Sequence, residues 1–328
     1  MAFLGALFFG FVPMFLFAVI VNWLDRYEKE PKVLLGAAFL WGAVIAAGGA
    51  FILNTAFGIG IYALTGSEGV AEFGTASIVA PIIEEGLKGL AVLIVFLMFR
   101  REFDSVLDGI VYAAIAAMGF AAVENTLYIY RNGYLENSWA GFWTLVVIRV
   151  VLVGWMHPFF TAFTGIGLAI ARMTRNMLVK LIAVPTGYAI AVTAHAFHNT
   201  FSGLIGGIGG FVAGTFIDYI GYAFMLAFII WMIITERDIL RKNLREEVVA
   251  GLISQKQYNS ATSFFQTNAH LTALTSGTFR STARFYQVCG ELAHKKEQLA
   301  KVGDEEGNTK IIERLRAELV QLAPRARA

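Results

Sequence analysis

Residues 81–88 read Pro81-Ile82-Ile83-Glu84-Glu85-Gly86-Leu87-Lys88, and they interrupt a stretch that is otherwise apolar from Ile78 to Phe99. An ionised side chain at bilayer depth costs about 2.5–3.5 kcal/mol on insertion scales, so such groups face a bundle interior or a watery cavity and pair there. Three within five residues mark a functional site. On a helix, Glu84 precedes Lys88 by one turn, the favourable order for an ion pair. Glu85 is turned about 100° from Glu84, so the two carboxylates address neighbouring sectors.

The rest of the composition agrees with a membrane setting. With 57% hydrophobic and only 15% charged residues, the 328-residue chain reads as an all-α polytopic membrane protein and not as a soluble or nucleic-acid-binding domain. The single cysteine, Cys289, excludes an internal disulfide and a cysteine-based metal site. The first twenty residues contain no Lys or Arg and are apolar for too long to be a secretion signal, so they read as a retained first span. About seven segments are long enough to cross a bilayer: 3–23, 33–57, 75–99, 107–130, 143–171, 178–202 and 212–235. Basic residues collect in alternate connections: Arg26, Lys29 and Lys32; Arg100 and Arg101; Arg172, Arg175 and Lys180; Arg237, Arg241, Lys242 and Arg245. The connections between them carry Arg131 alone. The N-terminus is therefore expected outside and the C-terminus in the cytoplasm of a plasma-membrane, multi-pass protein.

Further polar residues punctuate the apolar segments. The fourth carries Glu124 and Asn125, the fifth His157-Pro158 and Arg149, and the sixth His195, His198 and Asn199. His195 and His198 share a helix face, with Asn199 one turn from His195. Counted from the outer end of each span at ~1.5 Å per residue, most lie between the midplane and the outer leaflet; His157 is deepest, with Pro158 able to kink its helix. Arg149 is expected to reach the outer surface in preference to pairing with Glu124, Phe120 to pack beside Glu124, and Asp218 to cap or sit at the interface. The outer connection 58–74, with Glu68 and Glu72, reads either as a lid or as a solvated link. Residues 1–235 form a transmembrane domain. Residues 236–328 form a cytoplasmic helical appendage, ending in a helix around 308–322, which carries no chemical signature beyond the capacity to bind a cytoplasmic partner.

In order, Glu84-Glu85-x-x-Lys88, Phe120-x-x-x-Glu124-Asn125, intramembrane His157 and His195-x-x-His198-Asn199 resemble the motifs of the PrsW-type intramembrane proteases, distant relatives of the CAAX prenyl endopeptidases. The resemblance covers roughly residues 10–240. In the CAAX relatives the second motif ends in His where this chain has Glu124, and the first ends in Arg one residue beyond Lys88; both departures favour the PrsW branch.

The resemblance implies cleavage of a membrane-anchored protein near the outer half of the lipid bilayer, with the transmembrane anti-sigma factor, cut at its extracytoplasmic side, as the best-known bacterial target class. Peptide hydrolysis needs an activated water, a proton donor for the leaving amine and a stabilised oxyanion. Glu84 or Glu85 would serve as base, with Glu124 as the acid sharing the proton and His195 and Asn199 steadying the oxyanion or the water. Lys88 and Asn125 would support them. In one version His157, His195 or His198 and a glutamate bind zinc, whose bound water is acidified; in the other, Glu and His act without a metal. No His-Glu-x-x-His pair is present to decide. An ion- or proton-coupled transporter also uses buried Glu, His and Lys, but no inverted repeat with paired broken helices accompanies them here.

Overall fold

The computed structural model describes residues 1–205, 207–264, 267–304 and 307–328. It is helical, and the described residues contain no strand. Helix α1 (Ala2–Leu24) places Ala2, Ala6, Gly10, Met14, Ala18 and Val21 on one buried stripe, the four-residue spacing that brings backbones together in lipid. Helix α2 (Lys32–Thr65) contains a wide π turn at Trp41–Ala46. A short helix α3 (Glu68–Gly74) passes through a second π turn, Thr75–Val79, into α4 (Ala80–Met98).

Helix α5 (Val106–Leu127) is the hub. Ser105 caps it by accepting from the Asp108 amide at 3.1 Å, while Asp108 returns the bond to the Ser105 amide at 2.7 Å, which fixes two otherwise orphaned donors. Almost every residue from Leu107 to Ala122 is buried, against α1, α2, α4 and α7 (Met156–Arg172). Glycine allows these approaches: a Cβ at Gly42 would lie 1.8 Å from the Ala116 carbonyl oxygen, and one at Gly109 2.3 Å from that of Gly165.

Among the described residues, five helices are long and apolar enough to cross a membrane: Ala2–Leu24, Lys32–Thr65, Val106–Arg172, Met177–Phe201 and Val212–Val249. Four of them turn apolar side chains such as Phe15 and Leu16 outward, as lipid contact requires, whereas Val106–Arg172 is mostly buried inside the bundle. Two features separate these five from the seven expected segments. The segment 75–99 carries Glu84, Glu85 and Lys88, and the segments 107–130 and 143–171 lie in one helical run. That run bends at Asn137 and Ser138 (φ 53°) within α6 (Glu136–Val146) and opens again at Val153, before α7. Pro158 is therefore the third residue of a new helix, where its missing N–H disturbs nothing, and does not kink a continuous span.

Helices α8 (Met177–Ile205) and α9 (Gly207–Val249) complete the bundle. α9 continues into α10 (Gln255–Ala261), α11 (Thr267–Thr275), α12 (Phe279–Val302) and α13 (Asn308–Leu322). The apolar faces of α12 and α13 meet through Phe285, Cys289, Leu292, Ile311, Ile312, Leu315 and Leu319. α12 lies against the connections that follow α1 and α4: the Lys29 amide donates to Gln287 Oε1 at 2.9 Å, and Lys295 donates to Asp104 Oδ2 at 2.6 Å.

Candidate active site

Four helices deliver the polar residues of the bundle to one place. Glu85, fully buried on α4, is saturated: Oε1 accepts from Lys88 Nζ at 2.6 Å and from His195 Nδ1 at 2.9 Å, and Oε2 accepts from Thr161 Oγ1 at 2.7 Å. Lys88, also fully buried, is shared with His157 Nδ1 at 3.1 Å and lies 4.5 Å from the Phe120 ring centroid. An ammonium only donates, so His157 Nδ1 accepts, and its Nε2–H points at Glu124 Oε2, 2.7 Å away. Arg149 closes the chain, donating to Glu124 Oε2 and, through Nε at 3.0 Å, to Asn125 Oδ1, with its guanidinium over the Tyr128 ring. The expectation that Arg149 turns to the outer surface is thus corrected: Glu124 lies one helix away and offers a carboxylate partner at a place where both side chains are only partly exposed. Phe120 packs on the His157 ring, with centroids 5.1 Å apart, as well as lying beneath Lys88.

Glu84 is held differently. Its Oε1 accepts from Asn54 Nδ2 at 3.2 Å, whereas Oε2 is buried without a hydrogen-bond partner, 3.9 Å from His195 Nε2. Because His195 Nδ1 donates to Glu85, its Nε2 carries the lone pair and faces that oxygen. Glu84, Glu124, Arg149, His157 and His195 line a cavity of about 920 Å³ that extends past Asn54, Tyr62, Glu68 and Glu72. This is the end of the bundle opposite the α12 contacts.

His198 borders the same cavity and has a partner on another helix. Its Nδ1 donates to Asp218 Oδ2 at 2.7 Å, so Asp218 is an internal partner and not the interfacial or capping residue expected. Asn199 donates to the Ala76 carbonyl at 2.8 Å and so ties α8 to the π turn ahead of α4. Asn54 and Thr161 are additions to the expected set. Asn54, an amide inside an apolar span, was visible as an anomaly; Thr161 was not, since a buried Thr is usually satisfied by its own helix.

The residues that can hold a metal are Glu84, His157 and His195, each with a ligand atom within 4.8 Å of the others. Two imidazoles and a carboxylate are a known catalytic zinc donor set, and the Glu85 carboxylate on His195 Nδ1 is the outer partner such ligands carry. The unpartnered Glu84 Oε2 fits as well. His157 fits with two changes: its Nε2 leaves Glu124, and the ring proton moves to Nδ1, which then gives up the Lys88 ammonium. His198, bonded to Asp218, lies outside this group.

Fold and site together define a polytopic helical membrane protein with an imidazole–carboxylate centre on the wall of an open cavity. The family described as PrsW family intramembrane metalloprotease matches residues 30–234, and the chain belongs to that family. Relatives named Protease PrsW include those of Clostridioides difficile (36% identical over 33% of this chain and 43% of the relative), Geobacillus kaustophilus (36% over 43% and 55%) and Bacillus subtilis (31% over 46% and 62%). The matched part of this chain thus spans about half the length of these relatives. No solved structure matches it significantly.

Proposed function

We propose that the chain is an intramembrane endopeptidase that hydrolyses a peptide bond of a membrane-tethered protein inside the cavity, with anti-sigma factors as the substrate class suggested by the family resemblance. The observation that carries this reading is the unpartnered Glu84 oxygen facing His195 Nε2 on the wall of a 920 Å³ cavity. Glu84, His157 and His195 would hold a zinc ion, which when bound supplies a Lewis acid and an acidified water.

The protein's own groups divide the remaining work. Glu85, fixed by Lys88 and Thr161, holds His195 in the tautomer that presents Nε2. Glu124, aligned by Arg149 and bordering the cavity, takes the proton of the attacking water and returns it to the leaving amine. Asn54 orients Glu84, and Asn125 orients Arg149.

The same proposal takes the chain through the membrane seven times, with the N-terminus and the cavity mouth outside and residues 236–328 forming a cytoplasmic domain. The basic connections support this orientation, and α4 crosses despite its charges because they are neutralised among buried partners.

The test compares membrane-protein N-termini in cells carrying the wild-type chain or Glu84→Gln/Glu85→Gln at matched expression. New extracytoplasmic N-termini on a single-span protein that depend on both acids support the peptidase. Unchanged termini together with pH-coupled solute movement would assign the carboxylates to a transport path.

A further inference from the structure

The helical region after α9 separates its charges. Residues 248–290 contain no Asp or Glu, and the acids resume at Glu291. Within that acid-free stretch, α11 turns Ala269 and Ala273 inward and leaves Leu271 and Leu274 outward, 55% and 58% exposed. The stretch is pinned at two points to the chain just past α1: Arg26 donates to the Phe264 carbonyl at 3.0 Å, and the Lys29 amide donates to Gln287 Oε1 at 2.9 Å. Arg237, just past the expected end of the last span, lies 4.1 Å from the Phe264 ring centroid. Phe264 therefore marks the level at which two spans leave the bilayer, and α11 begins three residues later. Helix α13 lies deeper. Its Arg316 pairs with Glu247 at 2.8 Å, and at ~1.5 Å per residue Glu247 is about 18 Å past residue 235 along α9.

The turn from α11 into α12 shares an open hollow of about 720 Å³ with the segment after α13, bordered by Phe279, Arg280, Arg325 and Arg327. That segment is held down: the Arg327 amide donates to Thr282 Oγ1 at 3.1 Å, its carbonyl accepts from the Tyr286 hydroxyl at 2.7 Å, and the Ala323 carbonyl accepts from Gln257 Nε2 at 2.7 Å. Arg327 Nε donates to Ser276 Oγ at 3.3 Å, and none of the three guanidiniums forms an ion pair among the described residues. Glu291 and Glu318, the acids closest in sequence on α12 and α13, are taken up by Arg284 at 2.6 and 2.7 Å. Three exposed cations thus surround one hollow beside an exposed apolar face, at the level of the span ends. We infer that this face anchors the region to lipid: Leu271, Leu274 and Phe279 enter the headgroup boundary, and Arg280, Arg325 and Arg327 receive the phosphate of an anionic phospholipid in the hollow. An apolar face rimmed by arginines is the pattern of helices that lie in a bilayer surface, and an anionic leaflet supplies the missing charge. Anchored so, α12 is held against the connections that follow α1 and α4.

The test places a bimane fluorophore on Leu274→Cys in the full chain, Cys289 being buried. The protein is held in nanodiscs of mixed phosphatidylcholine and phosphatidylglycerol, with a nitroxide on the upper acyl chain of one lipid or the other. Nitroxide phosphatidylglycerol is expected to quench about fivefold more than nitroxide phosphatidylcholine, the preference that even one arginine near an anionic surface gives. Molar salt should erase that preference. Arg280→Gln/Arg325→Gln/Arg327→Gln should bring the two lipids within about 1.5-fold of each other, while the matching lysine set, which keeps the charge, retains most of the difference. A bimane on Glu313→Cys, on α13, should be quenched by neither lipid. Absence of quenching at position 274, equal quenching at 274 and 313, or a preference unchanged in the glutamine set overturns the inference. So does a probe at 274 that lipid leaves untouched and soluble polyglutamate shifts, which hands the surface to an acidic protein.

Discussion

Two buried clusters of histidine, carboxylate and lysine stand at opposite ends of the bundle, and each brings three potential metal ligands within 4.8 Å of one another: Glu84, His157 and His195 in one, Glu28, Asp104 and His294 in the other. Ligand spacing does not separate them. Access does: the first borders a cavity of about 920 Å³, whereas Asp104 and His294 of the second border a crevice of about 140 Å³ shared with Val106, Leu107, Met232 and Glu236. Charge pairing separates them too. Asp104 takes Lys295 at 2.6 Å and His294 Nδ1 at 3.2 Å, with Glu28 Oε2 3.4 Å from the same nitrogen, so the second cluster is a clamp between α12 and the connections around residues 28 and 104. Glu28 Oε2 and His294 Nε2 are buried without a hydrogen-bond partner there too, as Glu84 Oε2 is in the first cluster, so the room beside the ligands, and not an uncommitted atom, is what sets the first cluster apart.

The sharpest way to break this comparison is Glu84→Gln. It should lower kcat by about a thousandfold or more and remove bound zinc measured by elemental analysis, while His294→Asn leaves metal content unchanged; zinc lost from the second variant would reverse the assignment. Next is Glu85→Gln, which strips a partner from a fully buried ammonium and should cost about 3–5 kcal/mol in detergent-solubilised unfolding. Glu84→Gln should fall well short of that. Asp104→Asn, in the clamp, should cost about 2–3 kcal/mol, read as faster hydrogen exchange across 279–302 with the cavity end unaffected.

The clamp is also expected to loosen in alkali. Burial alone would lower the His294 pKa, but its bond to Asp104 and the charges of Glu28 and Asp104 carry it well above 6.5. Its stabilisation is therefore complete below the ordinary imidazole value and is lost as pH rises through the folded value. Burial pushes Asp25 up to about 7 and Glu28 well above 4.5, and a raised acid also destabilises the fold as pH rises past its ordinary value. Protection across 279–302, the exchange rate relative to the intrinsic base-catalysed rate, should fall from pH 7 to 9.5, and His294→Gln should flatten that dependence. The smallest effect concerns fit: a Cβ at Gly290 would lie 2.1 Å from the Tyr27 carbonyl oxygen, so Gly290→Ala should displace α12 at a cost of about 1–3 kcal/mol, visible as a lower unfolding temperature.

Helix type and the intramembrane acids were legible because burying charge in an apolar run is costly enough to announce itself. Periodicity gives a face, however, and not a neighbour. Arg149 and Glu124 are 25 residues apart, His198 and Asp218 are 20 apart, and each pair meets only because α5 packs beside the turn Val147–Leu152 and α8 beside α9. The Asp104–His294 clamp joins segments 190 residues apart and leaves no local trace. The break at Val153–Trp155 was hidden because the residues around it remain apolar, which preserves the hydropathy of a continuous span.

The π turns at Trp41–Ala46, Thr75–Val79, Tyr128–Leu135 and Val147–Leu152 are places where a helix carries more chain per turn than an α-helix needs. They act as register locks. Deleting one residue from Val147–Leu152 would let that turn relax to ordinary helical pitch and shift Arg149, which lies within it, relative to Glu124, while the break at Val153–Trp155 leaves α7 in place. Length at these four places, and not only composition, is therefore under constraint, and a chain tolerant of many apolar swaps along its spans would be intolerant of single-residue gaps there.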